Sequence, residues 1–196
     1  MADPSLYTYP DPLEGYENRE PLSDDRNPDG KSLLNPPPTT KRSPAYTTFP
    51  PPLSNTTRGG FDIHIYYLPS SPFQTTFARN LHSRIRYEFP ELRIYPIFDR
   101  PIGPHTTAMF EVNLFTPEQF GAFVPWLVIN RGPLSALLHP NTGEGLEQER
   151  DHTQRATWLG QAWPLEAWVL RRVDEERRRK KLEEEEGNGV KGKEEV

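Results

Sequence analysis

Between residues 61 and 139 the apolar residues change period, and the order of those changes limits the possible folds. "FDIHIYYL" (61–68) alternates, with Phe61, Ile63, Ile65 and Tyr67 on one side and Asp62, His64 and Tyr66 on the other. Alternation in β-branched and aromatic residues is the pattern of a half-buried strand. "SSPFQTTFARNLHSRIRYEF" follows with Pro72 at a first helical position and an i,i+4 ladder of Phe73, Phe77, Leu81, Ile85 and Phe89. That spacing predicts an amphipathic helix. "LRIYPIF" (92–98) reads as a strand that Pro96 confines to a sheet edge or a bulge, and "AMFEVNLF" (108–115) as another strand. "TPEQFGAFVPWLVINRG" opens with Thr116, Pro117 and Gln119, an N-cap, N1 and N3 pattern, and stops at Gly132. Its apolar face is Phe120, Phe123, Leu127 and Val128, and Pro125 is expected to kink or divide it. "LSALLH" (134–139) is the last short strand before the turn "PNTG".

The order strand, helix, strand, strand, helix, strand predicts an α+β fold: a ferredoxin-like βαββαβ sandwich with an antiparallel sheet and both helices on one face. The other face must then be covered by another chain, by residues after 140, or by a ligand pocket.

The ends of the chain have a different composition. Residues 1–59 hold 12 of the 23 prolines, with apolar residues scattered without period. Such a segment cannot bury enough surface to offset its ordering entropy and is expected to be a disordered tail. Residues 171–196 are a charged tail, "RRVDEERRRKKLEEEEGNGVKGKEEV", expected to be partly helical or disordered. Residues 60–170 form the predicted folded core, and removing 1–58 and 172–196 is expected to leave folding intact. These ends account for the low hydrophobic content of 34% and the mean hydropathy of -0.79.

A net charge of -5 argues against a nucleic-acid partner, and no run of ~18 apolar residues marks a membrane span. The start of the chain lacks the basic and apolar regions of a secretory signal, so a cytoplasmic location is expected. With no cysteine, any metal must be held by His, Asp, Glu or water.

Five histidines remain as candidates: His64, His82, His105, His139 and His152. A lone strand histidine is ordinarily a hydrogen-bonded structural residue, and His82, on a helix beside Leu81, is assigned no role. In a 4-1-3-2 strand order, however, His139 at the end of the fourth strand falls beside the start of the first, near His64. Glu111 falls near that same end. These three are expected to gather on the helix-free face, where imidazole and carboxylate suit Fe(II), and an all-histidine site also Zn(II). Counting residues puts His105 well away, toward the far end of the first strand. His152 lies on a segment that can fold back over the face.

"FDIHIYYL", "EFPELRIY", "RPIGPH", "MFEVNLFTPEQFGAFVPWLVINRGPLS", "LHPNTG" and "DHTQRATWLG", in this order, resemble the fungal and bacterial DOPA 4,5-dioxygenase family over residues 61 to 165. One departure is Thr106 after His105, where the family commonly has proline. The resemblance implies a homo-oligomeric, non-haem, extradiol ring-cleaving dioxygenase acting on L-DOPA or a related catechol with O2. Its cofactor would be Fe(II), with Zn(II) as the alternative. His64 and His139 are then the first metal ligands, with Glu111 or His105 as the third, and His152 as acid and base. Tyr66, Arg131, Asn141 and Arg155 are candidates for contact with the substrate, the arginines through its carboxylate. Three rival readings stand beside this one: a family member acting on a different catechol, a non-catalytic dimerisation module, and a zinc hydrolase. The polar set Asp62, His64, Glu111 and Asn113 is unlike the apolar face a dimerisation module requires.

Overall fold

In the computed structural model, residues 9–36, 42–53 and 57–191 are described, with side chains described to residue 183; the parts of the two tail expectations that fall on 1–8, 37–41, 54–56 and 192–196 lie outside them. The elements in order are β1 (Phe61–Tyr67), α1 (Pro72–Glu88), β2 (Arg93–Ile94), β3 (Ala108–Leu114) and α2 (Pro117–Asn130). They are followed by β4 (Ser135–Pro140), α3 (Leu146–Thr153), β5 (Thr157–Leu159) and α4 (Trp168–Lys191). The sheet is antiparallel in the order β2-β3-β1-β4-β5. The ferredoxin-like sandwich is thus present, with a fifth strand added on the free edge of β4.

Side-chain parity decides which face each residue takes. Ile63, Ile65 and Tyr67 of β1, Phe110, Val112 and Leu114 of β3, and Ala136 and Leu138 of β4 enter one core with Leu81, Ile85, Phe123 and Leu127 of the helices. The apolar ladders overreach this core at their ends. Phe73, in the first turn of α1, is 67% exposed, and Val128, near the end of α2, is 46% exposed. Thr116 caps α2 as its sequence predicts, and Ser71 does the same for α1. Ser71 Oγ accepts from Gln74 N, and Thr116 Oγ1 accepts from Gln119 N. α2 is not divided at Pro125; it continues as one helix to Asn130.

The predicted second strand is shortened by its proline. Arg93 and Ile94 pair with Asn113 and Val112, whereas Phe98 bridges Met109, so the register slips by one residue and Pro96 lies in a bulge. The other face of the sheet is covered by the chain itself. Tyr66, Met109 and Leu137 form a second, smaller core with Trp158, Trp163 and Leu165 from the segment after α3.

The N-terminal segment, where described, consists of turns, an isolated bridge between Arg26 and Leu33 and a single 3-10 turn at Pro44–Tyr46. Phe49 nevertheless reaches the folded domain. Its ring lies 5.4 Å from Phe61 and 6.4 Å from Phe120, in a space that Gly60 leaves open. At the other end, the charged segment is helical from Trp168 to Lys191. No helix among the described residues is long and apolar enough to cross a membrane.

Candidate metal centre

The strand register brings the first two histidines together. His64 is opposite Glu111 on β3, and His139 is opposite Asp62, two residues before His64 on β1. All four side chains point away from the helices. His64 Nε2 and His139 Nε2 end 3.0 Å apart, both residues buried. α3 then lays His152 over the pair, with its ring centroid 3.8 Å from that of His139. One nitrogen from each of His64, His139 and His152 lies within 4.8 Å of the others, close enough for one metal ion.

Backbone carbonyls fix two of the three tautomers. His139 Nδ1 lies 2.9 Å from the carbonyl of Pro140, and His152 Nδ1 lies 2.9 Å from the carbonyl of Gln148. A carbonyl only accepts, so both Nδ1 atoms carry hydrogen and both Nε2 atoms present lone pairs. The 3.0 Å contact between Nε2 atoms must then be a hydrogen bond donated by His64. That leaves His64 Nδ1 as a bare lone pair, and it has no hydrogen-bond partner among the described residues. The nearest charged atom is Glu111 Oε2 at 3.8 Å, an acceptor facing an acceptor. Moving the His64 proton to Nδ1 would set an N–H toward that carboxylate and turn a third Nε2 lone pair inward. A cation among the three Nε2 atoms favours that state, so the donor set fits a metal.

Burial keeps the ligands neutral, as metal binding requires. It holds His64 and His139 well below the usual imidazole range, assisted by the neighbouring histidines. His152 is pushed down to about 4, again chiefly by burial.

His105 is closer than residue counting along the strand allows. β3 begins only at Ala108, and His105 pairs with Ile102 in a turn that folds back over the sheet, bridging Leu165. Its ring centroid lies 4.2 Å from that of His64, and its Nδ1 is 2.7 Å from the Tyr66 hydroxyl. Burial, and then His152, push its pKa down to about 3. Thr106 fastens the turn, its hydroxyl donating to the carbonyl of Pro164 at 2.7 Å, a bond that proline at this position could not make.

The remaining candidates divide. Glu111 sits at the Nδ1 end of the His64 ring, away from the three converging Nε2 atoms, so it is not placed as the third ligand. Its Oε1 accepts from Asn113 Nδ2 at 2.7 Å, and the same nitrogen donates to Asp62 Oδ1 at 2.6 Å. Asp62 and Asn113 thus form the carboxylate side of the site, and their shared parity with His64 and Glu111 is the sequence signal for them. Burial and then Glu111 raise the Asp62 pKa to about 7.

Asn141 donates to the carbonyl of Gly59 at 3.1 Å and hydrogen-bonds the Asp62 carboxyl, so it belongs to the carboxylate side of the site. Arg155 is occupied: its Nη1 binds Thr142, Glu147 and Asp151 at 2.7–2.9 Å, which makes it a fastening of α3. Arg131 and Tyr66 are brought together. They share a cavity of about 400 Å³ with Gln74, Ser135, Gln161 and Trp163. Arg131 Nη1 donates to the carbonyl of Leu134 at 2.6 Å, while its buried Nε has no hydrogen-bond partner among the described residues. His82 donates to or accepts from nothing near the site; its Nε2 lies 2.9 Å from the carbonyl of Tyr95.

Comparison with known proteins adds the following. The family model described as "Dopa 4,5-dioxygenase family" matches residues 61–169. An uncharacterized 21.2 kDa protein of Botryotinia fuckeliana is 61% identical over 181 residues, covering 90% of this chain and 98% of that one. A DOPA 4,5-dioxygenase of Amanita muscaria is 32% identical over 108 residues, covering 53% of this chain and 46% of that protein. A crystal structure of a candidate dioxygenase from Nostoc punctiforme shares 35% identity, covering 59% of this chain and 93% of that one, with a TM-score of 0.48.

Proposed function

This chain belongs to the Dopa 4,5-dioxygenase family, and on that premise we propose that it is a non-haem Fe(II) extradiol dioxygenase that opens the ring of L-DOPA or a related catechol with O2. The observation that carries the reading is the convergence of nitrogens from three buried, neutral histidines, His64, His139 and His152. Three imidazoles also suit Zn(II), but a ring-opening reaction with O2 favours iron. When bound, ferrous iron supplies the redox chemistry that lets a catechol react with dioxygen. The protein contributes ligation, proton transfer and a pocket.

The proton role passes from His152, which is taken up as a ligand, to His105. As a neutral imidazole beside the metal ligands, His105 can take a catechol proton on one ring nitrogen. In that role its Nδ1–H donates to the Tyr66 hydroxyl oxygen, 2.7 Å away, which leaves Nε2 as the basic nitrogen. Burial raises the Tyr66 hydroxyl pKa, so Tyr66 remains a phenol and serves as a hydrogen-bond partner. Asp62, Glu111 and Asn113 keep the far side of His64 polar and acceptor-rich. The cavity that joins Tyr66 to Arg131 is the place for the substrate side chain, with the Arg131 guanidinium that lines it as the counter-charge for its carboxylate.

The test is oxygen uptake. Protein loaded anaerobically with Fe(II) and then mixed with L-DOPA in air should consume one O2 per catechol and form a yellow ring-opened product. Uptake with other catechols but not with L-DOPA would keep the chemistry and change the substrate. No uptake with any catechol would overturn the proposal.

A further inference from the structure

The helix that carries His152 is not held by apolar burial. The buried residues of α3 are Glu149, Asp151 and His152, every one titratable, and its leading Leu146 is 38% exposed. Gly145, which precedes it with φ 59°, supplies no side-chain cap. A helix of eight residues is not stable by itself. Polar contacts must therefore set its position, and they come from two directions.

One group fastens α3 to the end of β4. The Thr142 amide and hydroxyl donate to the Asp151 carboxylate at 2.8 and 2.9 Å, and Arg155 braces Asp151 and Glu147. The other group comes from α4. Arg171 Nε pairs with Glu149, which is 3% exposed and lies one helical turn before His152. Asp174 crowds Gly145, leaving no room for a side chain there, and is itself paired with Arg178 at 2.9 Å. A buried carboxylate left without its counter-charge is costly, so Glu149 holds its place only while Arg171 is present.

We propose that Arg171 is a positioning residue for the metal centre: by pairing with Glu149 it fixes the turn of α3 that presents His152. The first turns of the charged C-terminal helix are then part of the site. This rests on the reading of His152 as a metal ligand.

Co(II), whose visible absorption reports its ligands, serves as the probe on the full-length chain. Arg171→Met should bind Co(II) about ten- to a hundredfold more weakly than wild type, the range for loss of an outer-shell partner. Its spectrum should move toward that of His152→Ala, while its metal-free circular dichroism at about 25 °C stays that of the folded wild type, whatever the loss in melting temperature from the unpaired Glu149. Arg171→Lys, which keeps the charge, should recover most of the affinity. Wild-type affinity and spectrum in Arg171→Met, with both lost in His152→Ala, would overturn the proposal and leave the metal centre intact. Wild-type binding by His152→Ala would instead remove the three-histidine reading and this inference with it. Should Arg171→Met fail to fold, Glu149→Gln, nearly the same shape without the buried charge, takes its place with the same two outcomes.

Discussion

His64 and His139, 75 residues apart in the chain, meet Nε2 to Nε2 at 3.0 Å. Because Pro140 fixes the His139 tautomer, the proton between them belongs to His64, and His64 Nδ1 is left facing Glu111 without a donor. The metal-free site thus holds one frustrated group, which a cation relieves by sending the His64 proton to the Glu111 side.

That relationship makes Glu111 informative. Glu111→Gln replaces an acceptor with a group that can donate to His64 Nδ1 and so favours the tautomer that cannot bind metal. Metal affinity should fall about tenfold or more, while the metal-free protein is at least as stable to urea as wild type. Isothermal titration with Zn(II) checks the first expectation. Unchanged affinity would mean that Glu111 has no hold on His64.

Acid should unfold the metal-free protein early. Unfolded histidine titrates near 6.5, roughly, and unfolded aspartate near 3.9. Burial pushes His152 down to about 4 and His105 to about 3, and holds His64 and His139 low as well. The unfolded chain therefore binds protons that the folded chain refuses. Stability is present above pH 6.5, roughly, and falls as the pH drops below it, by about 1.4 kcal/mol per pH unit for each such imidazole. Asp62, raised to about 7 by burial and then Glu111, works in the opposite sense. So do Glu111 and Asp151, whose pKa values burial raises. Three carboxyls against four imidazoles leave a net acid loss, visible as a lower urea midpoint at pH 5 than at pH 7 in the presence of a chelator. Equal midpoints would contradict the burial of these rings as neutral groups.

How much of this was legible in the sequence depends on whether a residue lies on a regular strand. Parity along β1, β3 and β4 places His64, Glu111 and His139 on one face, because period and topology alone fix them. His105 was misplaced by counting, since the chain before β3 turns back at Ile102 instead of running straight. His152 was legible as a residue that folds over the site, but its role depended on α3, a helix with no apolar period to announce it. β5 is three residues long and gave too short a pattern to read. Arg155 has a charge suited to a substrate carboxylate, yet Glu147 and Asp151 satisfy that charge first.

The cut after residue 58 crosses an aromatic contact between the N-terminal segment and the domain. Phe49 packs against Phe61 and Phe120, so deleting residues 1–58 removes an aromatic from the edge of the core. A chain starting at residue 59 should fold but lose about 1–2 kcal/mol relative to one starting at residue 44. Equal denaturation midpoints for the two chains would show that Phe49 contributes nothing.

Arg131 separates substrates by their side chains. Arg131→Met should raise KM about tenfold or more for a catechol that carries a carboxylate, as expected for a charged hydrogen bond. For dopamine, which lacks the carboxylate, KM should stay near its wild-type value. Equal changes for both substrates would return Arg131 to a purely structural role at the end of α2.

The most direct test of the central claim is iron K-edge X-ray absorption on the anaerobically loaded protein, with His139→Ala beside it. Three histidine ligands should produce imidazole outer-shell scattering that fits about three rings per iron in wild type and about two, with weaker binding, in the variant. A spectrum dominated by oxygen ligands, unchanged by His139→Ala, would place the iron elsewhere and contradict the account.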